Sequence, residues 1–141
     1  MRRFLSAAVL VGLALTATAA SAADKKPPPV PGTSVSMPIL VAPMIVEGKL
    51  HAYAYISCTV VATSPSAAIK VRLKTPFIQD AFVRDVNGET IVKPGTTDAL
   101  DADRLKSRML ADVRHVVGAE KVDTLTFTQV QITPLAPDRV P

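Results

Sequence analysis

Between residues 50 and 62, small apolar side chains alternate with larger amphipathic ones. Ala52, Ala54, Ile56, Cys58 and Val60 fall on one face, and Tyr53, Tyr55, Ser57 and Thr59 on the other. A period of two sends successive side chains to opposite faces of an extended chain, so a half-buried strand is predicted here. Residues 37–46 are rich in Ile, Val and Met but contain Pro38 and Pro43. Each proline would delete a ladder hydrogen bond, which predicts a strand at the edge of a sheet. Glu47-Gly48-Lys49 supplies a three-residue turn, so the two strands are expected to form a hairpin.

The period then lengthens. Ser64-Pro65 pairs a capping hydroxyl with a proline at the first helical position. The helix continues through Ala67, Ala68, Ile69, Val71 and Leu73. Pro76 predicts a kink or a division into two short helices. Ile78, Ala81, Phe82 and Val86 form one apolar stripe beyond it, and Asn87-Gly88 closes the segment. Thr90-Ile91-Val92 reads as a short strand before a Pro94-Gly95 turn. A second helix starts near Asp98 or Asp101, repeats Leu105, Met109, Val113 and Val116 at helical spacing, and stops at Gly118.

Residues 122–133 are β-branched almost throughout. Their alternation breaks around residues 127–130, which predicts a bulge or burial on both faces. The order β-β-α-α-β implies an α+β fold: a small antiparallel-type sheet with helices on one face. The domain is expected over residues 37–133, with a flexible tail at residues 134–141.

The N-terminus changes the picture of where this domain works. Met1-Arg2-Arg3 is basic, residues 4–15 are apolar, and small residues lead to Ala20-Ser21-Ala22. That order is the pattern of a secretory signal peptide, and residues 1–22 are read as one, with a short uncleaved anchor as the alternative. Residues 23–36 hold four prolines and a glycine and read as an extended linker. A periplasmic location follows, or an inner-membrane anchorage with the domain facing the periplasm.

Charge and composition narrow the partners. Two of the positive charges in the formal net +4 are Arg2 and Arg3, so the segment after Ala22 is only mildly basic. There is no tryptophan, and Tyr and Phe are few. Nucleic acid is therefore not expected as a partner. A membrane is expected only through an uncleaved N-terminal segment. Cys58 is the one cysteine and reads as a small buried hydrophobe.

Candidate chemistry is sparse. His51 and His115 lie far apart in sequence, with no metal-ligand spacing around either. Asp80, Asp85, Asp98, Asp101 and Asp103 follow the helical half without pairing as an acid and base. The sequence contains no HExxH, GxSxG, P-loop or GxGxxG. No catalytic residue, metal or cofactor is assigned, and a non-enzymatic role is expected. The candidate interaction residues are Tyr53 and Tyr55, which share a strand face, and Asp80, Arg84 and Asp85 on the first helical segment. Asp80 and Arg84 have the i, i+4 spacing of a surface ion pair.

The domain resembles the periplasmic region of the flagellar basal-body-associated FliL family. The likeness is carried by Ile45-Val46 turning into the strand at residues 50–62 and by Pro76-Phe77-Ile78-Gln79-Asp80-Ala81-Phe82-Val83-Arg84-Asp85. The second helix, residues 100–117, and the terminal strand with Leu125-Thr126-Phe127-Thr128 complete it. The resemblance implies a stomatin-like α+β domain that self-associates beside flagellar stator units and supports motility as a scaffold. Members of that family keep an N-terminal membrane helix, whereas this chain carries a cleavage-like site there. The alternative expectation, from another class, is a soluble periplasmic module that binds a small apolar ligand or another protein.

Overall fold

The computed structural model describes residues 27–136, so the segment read as a signal peptide lies outside the described residues, as do the start of the segment read as linker and the end of the tail. Four strands and three helices follow in the order β1 (Ser34–Ser36), β2 (Leu40–Val46), β3 (Lys49–Ala62), α1 (Pro65–Leu73), α2 (Thr75–Gly88), α3 (Ala102–Val117) and β4 (Val122–Pro134). A 3-10 turn at Ala119–Lys121 joins α3 to β4. The fold is α+β with an antiparallel sheet, as the patterning predicts, but the order is β-β-β-α-α-α-β.

The extra strand lies in the segment read as linker. Thr33 is buried, and its N–H and hydroxyl both donate to the Val30 carbonyl. Ser34–Ser36 then pairs with Thr59, Val60 and Val61 of β3. Only three residues long and flanked by prolines, β1 leaves no periodic signal to read.

The long strand β3 is central. One of its edges is occupied along residues 52–62 by β4. The other is shared by β2, opposite residues 49–56, and β1, opposite residues 59–61. Leu135 N–H donates to His51 O at 3.0 Å, while Cys58 O accepts from Met37 N–H at 2.9 Å and Ala62 N–H donates to Thr33 O at 2.9 Å. Backbone groups alternate in direction along an antiparallel strand. From residue 51 onward, odd-numbered residues of β3 therefore bond to β4 and even-numbered ones to β2 and β1; before it, a register shift between Met44 and Ile45 leaves His51 without a partner on β2 and pairs Lys49 with Val46.

This phase corrects the expectation for Pro43. Pro43 lies opposite Tyr53, whose backbone faces β4, so the missing N–H of Pro43 points away from β3 and deletes no ladder bond. The strand is at an edge, as predicted, and the proline sits at the one phase that an edge tolerates. The hairpin loop is also tighter than expected. Val46 pairs with Lys49, leaving the two residues Glu47 and Gly48 at φ 50° and 77°. Both lie in the left-handed region that a type I′ turn requires.

The helices cover one face of the sheet. Leu40, Ala42, Met44, Ala52, Ala54, Ile56, Cys58, Val60 and Leu125 point toward them and are buried. They meet Ala67, Ala68 and Val71 of α1, Ile78, Phe82 and Val86 of α2, and Leu105, Met109, Val113 and Val117 of α3. Small residues at positions 52 and 54 let the helices approach closely. The helical segment divides at Lys74, two residues before Pro76. Asp101 caps α3 by accepting from the Arg104 N–H at 3.3 Å, and Gly118 ends it at φ 108°. Val92 and Leu100 make one isolated bridge where a short strand was expected.

The irregularity around residues 127–130 is a bulge. Ser57 pairs with Gln129 and Cys58 with Phe127, leaving Thr128 unopposed. Among the described residues, no helix is long and apolar enough to cross a membrane.

Candidate interaction surfaces

The strand phase that buries Cys58 sends Tyr53 and Tyr55 to the opposite face of the sheet, which no helix among the described residues covers. Val41 and Pro43 of β2 lie directly across from them on that face. Tyr55, Val41 and Ile45 are all exposed large side chains. The open face is thus apolar on its β2 side, around Val41, Pro43 and Ile45, and polar on its β4 side, where Gln129, Gln131 and Thr133 lie across from Ser57, Tyr55 and Tyr53.

Asp80, Arg84 and Asp85 belong to the helical layer, on the far side of the molecule. The five candidate residues therefore do not form one surface. Asp80 and Arg84 make the exposed ion pair that their spacing predicts, with Nη2 to Oδ2 at 2.8 Å. An exposed pair of this kind contributes little to stability.

Asp85 has a structural role. Its carboxylate is largely buried beneath Arg108 of α3. Arg108 Nε donates to both carboxylate oxygens at 3.1 Å, and Nη2 donates to Oδ2 at 2.8 Å. The same guanidinium donates to the Asp85 carbonyl at 3.0 Å and to the Thr90 carbonyl at 3.2 Å. A planar fork that satisfies a carboxylate and two carbonyls fixes the end of α2 against α3.

A surface groove of about 470 Å³ runs between these helices, lined by Phe77, Asp80, Ala81, Arg84, Asp85, Asp112, His115 and Val116. Asp112 Oδ2 is buried there without a hydrogen-bond partner. Burial raises the Asp112 carboxyl to about 6; the neighbouring Asp85 charge adds to the rise, and Arg108 and His115 oppose it. Neither Asp112 nor Arg108 is singled out by the sequence patterning. A signal existed: Asp112 is three residues from Met109 and seven from Leu105, which places a carboxylate on the core-facing stripe of α3.

The larger feature missed by patterning is apolar. Ile69, Leu73 and Phe77 follow at four-residue intervals across the junction of α1 and α2, and they are 54%, 72% and 61% exposed. Lys74 Nζ lies 4.9 Å from the centre of the Phe77 ring. Ile69 and Leu73 lie one turn apart on α1 and Phe77 on the first turn of α2, so three large side chains are left in water around one helix junction. Ile69 and Leu73 look like core positions in the sequence, but Ala67, Ala68 and Val71 occupy the buried face of α1.

Cys58 is buried on the helix-facing side of β3, and desolvation pushes its thiol up to about 11. Such a thiol is not an activated nucleophile. His115 is exposed at the groove, and His51 is half-buried at the start of β3. Among the described residues, no group of three or more His, Cys, Asp or Glu side chains is placed to hold a metal ion. No family model matches the chain, and no curated protein matches it.

Proposed function

We propose that this chain is a periplasmic, non-enzymatic scaffold or accessory protein that acts through protein partners, and that it supports flagellar stator function and motility as its resemblance to the FliL family implies. The observation that carries the partner-binding part is the exposure of Ile69, Leu73 and Phe77 around the α1–α2 junction, with Phe77 also lining the α2–α3 groove. Aromatic and aliphatic anchors next to a polar rim are what a protein interface uses. The open sheet face with Tyr53 and Tyr55, apolar on its β2 side, offers a second surface on the other layer. Export rests on the basic, apolar and small-residue order of residues 1–22.

The space between sheet and helices is filled by Phe82, Met109, Leu105 and Ile56. An apolar small molecule would therefore need a surface groove, which favours a protein partner over a ligand-binding module.

Soft-agar swimming of a clean deletion strain, with the gene restored as control, tests the flagellar role. Reduced swimming with flagella still assembled supports it; unchanged swimming removes it. The paired substitution Leu73→Ser and Phe77→Ser is expected to reproduce the deletion while leaving the folded chain at normal levels. Fractionation and the mass of the exported chain establish whether residues 1–22 are removed.

A further inference from the structure

We propose that the edge of β4 that no described strand occupies pairs with β4 of a second copy of this chain, extending the sheet across a two-fold axis near Gln131. The pairing deepens the scaffold reading and rests on it only for its use.

The two outer edges of the sheet differ sharply. The β2 edge is blocked: Pro43 presents no N–H there, and the Ile45 carbonyl accepts from Thr90 Oγ1 at 3.3 Å. These are the devices by which proteins prevent edge-to-edge association. The β4 edge carries such devices only at either end of residues 129–133: the Thr128 bulge before them, and after them Pro134, which lies opposite Ala52 and so presents no N–H outward. Residues 124–133, Thr-Leu-Thr-Phe-Thr-Gln-Val-Gln-Ile-Thr, contain no charge, no proline and no glycine. Charged side chains are the usual guard of such an edge, and their absence lets a strand meet its own copy without like charges opposed.

The backbone phase selects the register. Leu135 bonds inward to His51, and Thr133, Gln131 and Gln129 lie opposite Tyr53, Tyr55 and Ser57. Val130 and Ile132 consequently turn their N–H and C=O outward. A two-fold axis at Gln131 pairs Val130 with Ile132 of the second copy, and Ile132 with its Val130, through four main-chain bonds. Gln131 then faces Gln131 of the second copy at the close, non-bonded position.

The surroundings suit a seam. Val130 is 40% exposed although it lies on the helix-facing side of the sheet, opposite Ile56. Ile132 and Phe127 are half-buried on that same side. Tyr53 and Tyr55 flank the other side from β3. Across the axis the extended sheet would bring Val130 and Ile132 together on the helix-facing side and Gln129, Gln131 and Thr133 together on the other.

Light scattering coupled to size exclusion tests the pairing on the full chain as the exporting cell processes it. Val130→Pro removes one outward N–H without touching the ladder to β3. Gln131→Lys opposes two ammonium groups at the axis and changes only an exposed side chain. The expected result is a dimer for the unaltered chain and at least ~10-fold weaker association for both variants, with unchanged circular dichroism. If Val130→Pro fails to fold, Gln131→Lys decides alone. An unaltered chain that stays monomeric overturns the proposal, as does a dimer that persists in the folded Gln131→Lys variant. Swimming is scored separately, so a dimer in a strain whose motility does not need the gene removes the flagellar role and leaves the pairing.

Discussion

Replacing Asp112 with Asn should stabilise the protein at neutral pH and lose that advantage in acid. The Asp112 carboxyl is raised from an ordinary 3.8 to about 6, chiefly by burial and then by the Asp85 charge. A raised carboxyl means that the folded state holds its proton over a pH range in which the unfolded chain has released it. Stability therefore falls as pH rises from about 4 to about 6 and stays low above that. The interval is worth about 3 kcal/mol at 1.36 kcal/mol per pH unit. Asp112 is only partly buried, so solvent screening reduces this to roughly 1–2 kcal/mol. Asn cannot ionise, so the gap between the two proteins should open across that window. Urea midpoints at pH 3.5, 5 and 7.5 give the gap directly. A His115→Gln background removes the coupling to the imidazole beside the groove. A gap that is flat with pH, or one that closes as pH rises, would refute the account of a desolvated carboxyl.

Four further outcomes follow from the structure. Arg108→Ala strands the largely buried Asp85 carboxylate and two carbonyls, and should lower stability by about 3 kcal/mol in urea unfolding. Arg108→Lys should recover only part of that loss, because an ammonium cannot reproduce the fork. The Cys58 thiol, pushed up to about 11 by burial, should ignore an aromatic disulfide reagent at pH 8 in the folded chain and react fully in urea. Glu47→Asn should raise the unfolding free energy measured in urea by about 0.5 kcal/mol, since Asn tolerates the φ of 50° better than Glu in a two-residue hairpin turn.

Regular elements with a strong period were legible. The alternation of residues 50–62 gives β3, and the stripe Leu105, Met109, Val113 gives α3 with Asp101 and Gly118 at its ends. The break at residues 127–130 is the Thr128 bulge. What escaped had a physical reason. Strand β1 is fixed by a long-range ladder to Val60, and three residues carry no period. Ile69 and Leu73 are apolar yet exposed, and only the tertiary position of α1 decides which of its faces is buried. The Tyr53 and Tyr55 face could be drawn from alternation, but whether helices cover it depends on the hand of the layer packing. The Asp85–Arg108 fork joins residues 23 apart in sequence, beyond the reach of any spacing rule within one helix.

The chain path sets how these surfaces can be used together. The N-terminal segment enters at Pro27–Val30, beside Val61–Thr63 and Asp123, at the end of the sheet where β3 finishes and β4 begins. The Glu47-Gly48 turn and Pro134 lie at the opposite end, where β3 begins. β3 spans 14 residues, a length of roughly 45 Å at about 3.3 Å per residue. A tether through residues before Pro27 would hold the β1 end and leave the far end free. Residues 129–133, with the unguarded edge, belong to that far end, as do Tyr53 and Tyr55. Ile69, Leu73 and Phe77 lie on the other layer. Pairing two copies through β4 would thus leave both helical layers open to partners, so self-association and partner binding would not compete for the same residues. A Leu73→Ser and Phe77→Ser chain should accordingly dimerise as the unaltered chain does. Loss of the dimer in that folded variant would place the self-contact on the helices instead of on the sheet edge.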